Sequence, residues 1–310
     1  MELDPTLHTK SMDVQLPTLI VDAFQLLSPP PQRSYFVVID GLDECHDKAT
    51  QQEILRLLCE AITVHKLPLR FLIGSRPESQ IRDSFDQESL YNVTRRVVLD
   101  EKFDPGRDIQ VFLQDGFAKI CTKNSVLSHV ERPWPKEGII DLLVQRSSGQ
   151  FIYPATVLKF VGADFCSPTK QLALVLKPDP MAFSDLDQLY TQILSVYPSA
   201  VNIVQVLGII FAFNNNNLPE VIEDILEMEE GELKLVLRGL SSLMEDEDDE
   251  DGECLNKGSY VIPHFAHASF LDYLYNSSRS GPFHVNRQEY ENQLSIRSFA
   301  LIVQSIRSWG

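Results

Sequence analysis

The sequence predicts an α/β region followed by an all-α one, and three observations carry that expectation. Short apolar runs bounded by turn residues lie at Tyr35–Ile39 and Leu69–Ile73. The segment between them places Ile54, Leu57, Leu58, Ala61 and Ile62 at helical spacing. Beyond about Pro105 the strand signals fade and helical spacing takes over.

In chain order, Leu16 to Leu27 reads as a helix stopped by Ser28-Pro-Pro-Pro31. The strand Tyr35–Ile39 follows, then the amphipathic helix, then Pro68 and the strand Leu69–Ile73. Val93 to Leu99 reads as a third strand, so the order strand, helix, strand, helix, strand implies parallel β-α-β units. Asp104-Pro105 starts a helix through Ile120, Trp134-Pro135 starts one closed by Ser147-Ser-Gly149, and Phe151 to Val161 forms a third. Pro178-Asp-Pro180 marks a boundary. After it come helices around Leu186–Leu194, up to Phe213, at Val221–Glu227 and at Glu232–Leu243. A strand at Tyr260–Ile262 and a helix from Ala268 to Tyr275 close the pattern. Helices followed by a hairpin with the acidic run at its tip would suit a winged helix. The expected divisions are residues 1–103, 104–178, 179–285 and a further helical segment at 286–310.

Hydrophobic content of 44% and charged content of 23% place the chain with ordinary globular proteins. The net charge is −17, and about half of it sits in Glu245–Asp251 and Glu253, which read as a solvated loop. Such a balance lacks the footprint of a nucleic-acid binder. Five scattered cysteines without a C-x-x-C pair argue for free thiols and against a zinc site or a disulfide framework. The longest apolar stretch, Ile203 to Phe213, is too short for a membrane span. With no signal-peptide pattern at Met1–Pro5, a cytoplasmic location without membrane contact is expected.

The chemistry concentrates in Tyr35-Phe-Val-Val-Ile-Asp-Gly-Leu-Asp-Glu-Cys45. An apolar strand delivers Asp40 to its carboxyl end, where open α/β sheets bind ligands, and Asp43 and Glu44 follow within one turn. Three acids so close repel one another unless a cation or a basic partner is present. A bland alternative has Asp43 and Glu44 capping the following helix. Ser75-Arg76-Pro77 ends the next strand, so an adjacent parallel strand would bring Arg76 to the same edge. In nucleotide hydrolases such an Asp holds Mg²⁺, later acids orient water, and an Arg reaches the terminal phosphate. The phosphate-cradling G-x-x-x-x-G-K-[ST] pattern, however, occurs nowhere in the 310 residues. Asp43-Glu-Cys-His46 also spells the acid box of one helicase class, but Asp40-Gly-Leu42 separates it from the strand and the chain is acidic.

Val38-Ile-Asp-Gly-Leu-Asp-Glu44 followed by Phe71-Leu-Ile-Gly-Ser-Arg-Pro77 resembles the Walker B and sensor 1 pair of NACHT domains, within the STAND class of NTPases. More narrowly it resembles fungal nephrocystin-type proteins, through Leu67-Pro-Leu-Arg70, Trp134-Pro135, Ser147–Tyr153 and His264–Phe270. The resemblance implies Asp40 as the Mg²⁺-binding acid, Asp43 and Glu44 as the acids that polarise water, and Arg76 at the terminal phosphate. It implies His267 at a phosphate of ADP in a closed state, while His264 is structural. The cofactors implied are ATP, ADP and Mg²⁺, and the function is a nucleotide-dependent signalling switch. Two departures weigh against activity: the phosphate loop and its strand are expected upstream of residue 1, and the adenine-pocket Gly-x-Pro is not matched at Gly149-Gln-Phe151, with Pro154 where a small residue is expected. The expectation is therefore an N-terminally truncated switch, inactive alone and holding no nucleotide tightly. A non-catalytic interaction or decoy protein that binds full-length relatives or itself is the alternative.

Overall fold

The computed structural model describes residues 6–27, 33–45, 47–99, 104–164, 166–178, 182, 184–196, 203–212, 219–244, 265, 267–290 and 292. They fall into two compact units, residues 1–98 and 99–310.

In the first unit two strands, β1 (Tyr35–Ile39) and β2 (Leu69–Ile73), pair in parallel with Tyr35 opposite Leu69 and Ile39 opposite Ile73. The crossover between them is the helix Lys48–Thr63. Its start is fixed by Asp47, whose carboxylate accepts the Thr50 N–H at 2.7 Å. Asp47 thus supplies the cap that the bland reading gave to Asp43 and Glu44. Helical turns Met12–Leu16, Pro17–Val21 and Asp22–Gln25 precede β1, the middle one widened to a π turn. Two small cores result: Val21, Ala61, Leu67 and Leu69 with Val37 and Phe71, and Leu42, Leu55, Cys59, Ile81 and Leu90 with Ile73.

Alternation along the strands decides which sheet face is covered. Val37, Ile39, Phe71 and Ile73 turn toward the helices, whereas Phe36, Val38 and Leu72 stay 74%, 67% and 65% exposed. Apolar residues on both faces are the signature of parallel strands, and here one face is left without cover among the described residues. The expected third strand is not formed. Residues 94–99 take no regular structure and pair with no strand among the described residues; Val97, Val98 and Leu99 are exposed. Strand propensity alone does not make a strand where the ladder partner is lacking. Helices Ser79–Asp86 and Glu88–Tyr91 fill the connection after β2.

The second unit is helical among its described residues, apart from one bridge. Helices Gly106–Lys123, Ile139–Ser147, Ile152–Val161, Pro168–Leu176, Asp185–Ser195, Ile203–Ala212, Pro219–Leu226, Glu232–Gly239 and Ala268–Leu274 share one apolar cluster running from Ile109 to Val285. The helix expected at Trp134-Pro135 begins instead at Ile139, after Gly138 in the left-handed region. Helix Pro168–Leu176 was not anticipated, although Ser167 and Pro168 spell its start. Met244 and Phe265 form an isolated antiparallel bridge on either side of the acidic run. The acidic run itself, the expected strand Tyr260–Ile262 and His264 lie outside the described residues.

Long-range polar contacts tie the unit together. Asp187, buried in the first turn of its helix, accepts two bonds from Arg279, from Nε at 3.0 Å and Nη2 at 2.7 Å. The Tyr190 hydroxyl meets Ser269 Oγ at 2.8 Å and Thr191 meets the Tyr273 hydroxyl at 2.7 Å. No helix among the described residues is long and apolar enough to cross a membrane. Cys45, Cys59, Cys121 and Cys166 are free thiols.

Candidate functional site

The parallel ladder continues past the strand ends and sets two loops side by side. The Gly74 N–H donates to the Ile39 carbonyl at 2.8 Å, and the Leu42 N–H to the Gly74 carbonyl at 3.2 Å. Asp40 therefore lies directly against residue 74. A Cβ there would sit 2.4 Å from Asp40 Oδ1, so only glycine leaves the carboxylate its place. Gly41, at φ +69°, turns the chain into a 3₁₀ turn, Leu42–Glu44, and the Asp40 carboxylate accepts its N–H at 3.0 Å. Leu42 anchors this turn in the core beside Leu55.

The acids take different environments. The Asp43 side chain is only 8% exposed: its Oδ1 accepts the Arg76 N–H at 2.9 Å and the Ser75 hydroxyl at 3.2 Å, and Oδ2 stands 3.5 Å from Arg76 Nε. It thus clamps the loop after β2 to the loop after β1. Glu44 is exposed, with its carboxylate beside Gly41. Behind them Gln51, buried on the crossover helix, donates to the carbonyls of Asp43 at 3.0 Å and Cys45 at 3.1 Å. Its amide oxygen accepts from buried Gln80 at 2.6 Å. Sequence reasoning missed Gln51, and it quoted Gly74 and Ser75 within the strand-end motif without giving either a role. The available signal was an amide at an inward position of an otherwise apolar helix face.

The structure thus brings Asp40, Asp43, Glu44 and Arg76 to the carboxyl ends of neighbouring strands. Among the described residues no group of three or more His, Cys, Asp or Glu could hold a metal ion. Asp40 offers a single carboxylate, which does not fit an all-protein metal cage. It does fit Mg²⁺ in a nucleotide complex, which takes one or two protein carboxylates beside the phosphates.

His267 belongs to the second unit and caps helix Ala268–Leu274. Its Nδ1 accepts the Ser269 N–H at 3.1 Å and lies 2.7 Å from Ser269 Oγ. Because a backbone N–H can only donate, Nδ1 is unprotonated and the ring proton of the neutral imidazole sits on Nε2.

Residues 2–76 match the profile of the nephrocystin 3 N-terminal domain. The matched stretch contains both strands and reaches Arg76, so it spans all four clustered residues. No curated protein and no solved structure matches the chain.

Proposed function

We propose that the first unit is the Mg²⁺-facing half of a NACHT-type nucleotide switch, and that the second supplies a winged-helix histidine sensing ADP. The observation that carries this reading is the coincidence of the nephrocystin-type match with the strand pair that aligns Asp40, Asp43, Glu44 and Arg76. Bound Mg²⁺ would offset phosphate charge. Asp40 supplies the carboxylate for it, held in place by Gly74 and the Gly41 N–H. Asp43 orients Arg76 for the terminal phosphate, and exposed Glu44 is the acid left to orient water. His267, at the start of helix Ala268–Leu274, is the residue that would meet a phosphate of ADP. The 310 residues contain no phosphate-loop pattern, so the triphosphate charge meets acids without the amides and lysine that usually cradle it. Hydrolysis by this chain alone is therefore not expected.

The decisive measurement is calorimetric titration of ADP and Mg²⁺-ATP into the chain, alone and with the phosphate-loop half of a nephrocystin-type domain added in trans. Binding should appear only in the mixture. Asp40→Ala should then remove Mg²⁺-dependent ATP binding, while His267→Ala should loosen ADP and raise oligomer size by light scattering. Turnover by the chain alone that Glu44→Gln abolishes would overturn the proposal. A second reading, a non-catalytic protein that binds relatives or itself, is favoured by the uncovered face of Phe36, Val38 and Leu72. It predicts binding to the added half with no nucleotide dependence.

A further inference from the structure

Within the second unit, four helices and the 3₁₀ turn Ser241–Leu243 leave a cavity of about 340 Å³ between them. That volume lies near the lower end of small-molecule sites, roughly 300–1,000 Å³, so it suits a guest of few heavy atoms. Most of the wall is apolar, with Phe160 from helix Ile152–Val161, Ile193 from Asp185–Ser195 and Leu235 from Glu232–Gly239. Gln171 and Arg238 also line it, Arg238 being already engaged in an interaction of its own. An apolar cavity holds water poorly and takes apolar guests instead.

Ser242 breaks the apolar lining in a different way. It is 3% exposed, and its Oγ is the one fully buried side-chain polar atom among the described residues that has no hydrogen-bond partner. A hydroxyl buried in this way gives up its bonds to water and regains none, and folded proteins seldom leave such a group without a use. Oγ itself has less than 1 Å² of accessible area, so a guest meets it when the side chain turns about χ1 from one staggered well to another.

The same chemistry sets the head group of the guest. A charged head would lose more hydration on entering a mainly apolar cavity than one neutral hydroxyl returns. A purely apolar guest would leave Oγ without a partner. We infer that this cavity binds a small neutral alcohol or ketone, its apolar body against Phe160, Ile193 and Leu235 and its oxygen accepting a hydrogen bond from the Ser242 hydroxyl. The inference concerns the second unit alone and stands or falls independently of any nucleotide site.

The test is calorimetric titration of the full chain with hexanol, methyl butyl ketone, hexanoate and hexylamine, which are alike in size and differ in the head. Hexanol and the ketone should both bind, and the two ions at least about tenfold more weakly. Ser242→Ala should weaken both neutral guests roughly tenfold, because their oxygen then goes unpaired. It should also raise the melting temperature of the ligand-free protein by about 2–4 °C, since an unpartnered buried hydroxyl is removed. Leu235→Trp, at a lining position that is 68% exposed, should fill the mouth and weaken both guests, which keeps the test open if Ser242→Ala alters the packing. Cys166 lines the same cavity, so saturating hexanol should slow its alkylation, read by mass spectrometry, and leave Cys121 unaffected. The inference is overturned if either neutral guest fails to bind, if either ion binds as tightly, or if affinity survives both Ser242→Ala and Leu235→Trp. Alkylation of Cys166 at an unchanged rate in hexanol would equally overturn it, because the guest would then sit elsewhere.

Discussion

At the scale of single residues, the acid cluster depends on neighbours that carry no charge. Gly74 leaves room for the Asp40 carboxylate, and Gln51 fixes the carbonyls of the loop that presents Asp43. Gly74→Ala should therefore push Asp40 aside, since its new Cβ would overlap Oδ1 at 2.4 Å. Urea denaturation should show a loss of about 1–3 kcal/mol from overpacking. In the reconstituted pair, Mg²⁺-ATP affinity should fall by at least as much as for Asp40→Ala. A variant that kept full affinity would mean the Asp40 carboxylate has no role there. Asp40, Asp43, Glu44 and Arg76 were visible in the sequence because strand periodicity gives the end of each strand, and parallel pairing sets those ends together. Ser75 and Gln51 were not, because their part is to hold other groups through backbone carbonyls and a carboxylate, and a hydroxyl or an amide in a string of letters does not say what it will touch.

At the scale of elements, helices proved more legible than strands. A helix closes its hydrogen bonds within itself, so apolar spacing and a cap suffice to place Lys48–Thr63 or Asp185–Ser195. Val93–Leu99 has the composition of a strand yet pairs with none, because a strand needs a neighbour that no local pattern can supply. The two paired strands meet the same need only in part. Phe36, Val38 and Leu72 form an apolar face open to solvent, with the Arg70 guanidinium 6.0 Å from the Phe36 ring. Self-association through this face is expected despite the net charge of −17. Phe36→Ser combined with Val38→Thr should reduce it, seen as a lower and concentration-independent mass in size-exclusion light scattering. An unchanged mass distribution would place the sticky surface elsewhere.

At the scale of the whole molecule, the two units rest on separate cores: two small clusters in residues 1–98 and one continuous cluster in the second unit. Three tyrosines in the larger core give it a distinct pH response. Burial pushes the Tyr153, Tyr190 and Tyr273 hydroxyls up to about 12, with Arg146, Ser269 and Thr191 respectively offsetting part of the effect. Below pH 10 folded and unfolded chains both keep these protons, and the stability they protect is complete. Between pH 10 and 12 the unfolded chain releases protons that the folded chain retains, so stability falls, by at most about 1.4 kcal/mol per pH unit for each tyrosine. Calorimetry across that range should show the melting temperature of the second unit dropping, and Tyr190→Phe should flatten the drop. The buried pairing of Asp187 with Arg279 bears on synthesis as well. A chain growing from its N-terminus makes the carboxylate 92 residues before the guanidinium that neutralises it. Until Arg279 has left the ribosome, closing the helices around Asp187 would enclose an unmatched charge, which is strongly unfavourable. The second unit is therefore expected to stay open during translation and to consolidate only once its last helices have emerged, whereas the strand pair of the first can close about two hundred residues earlier.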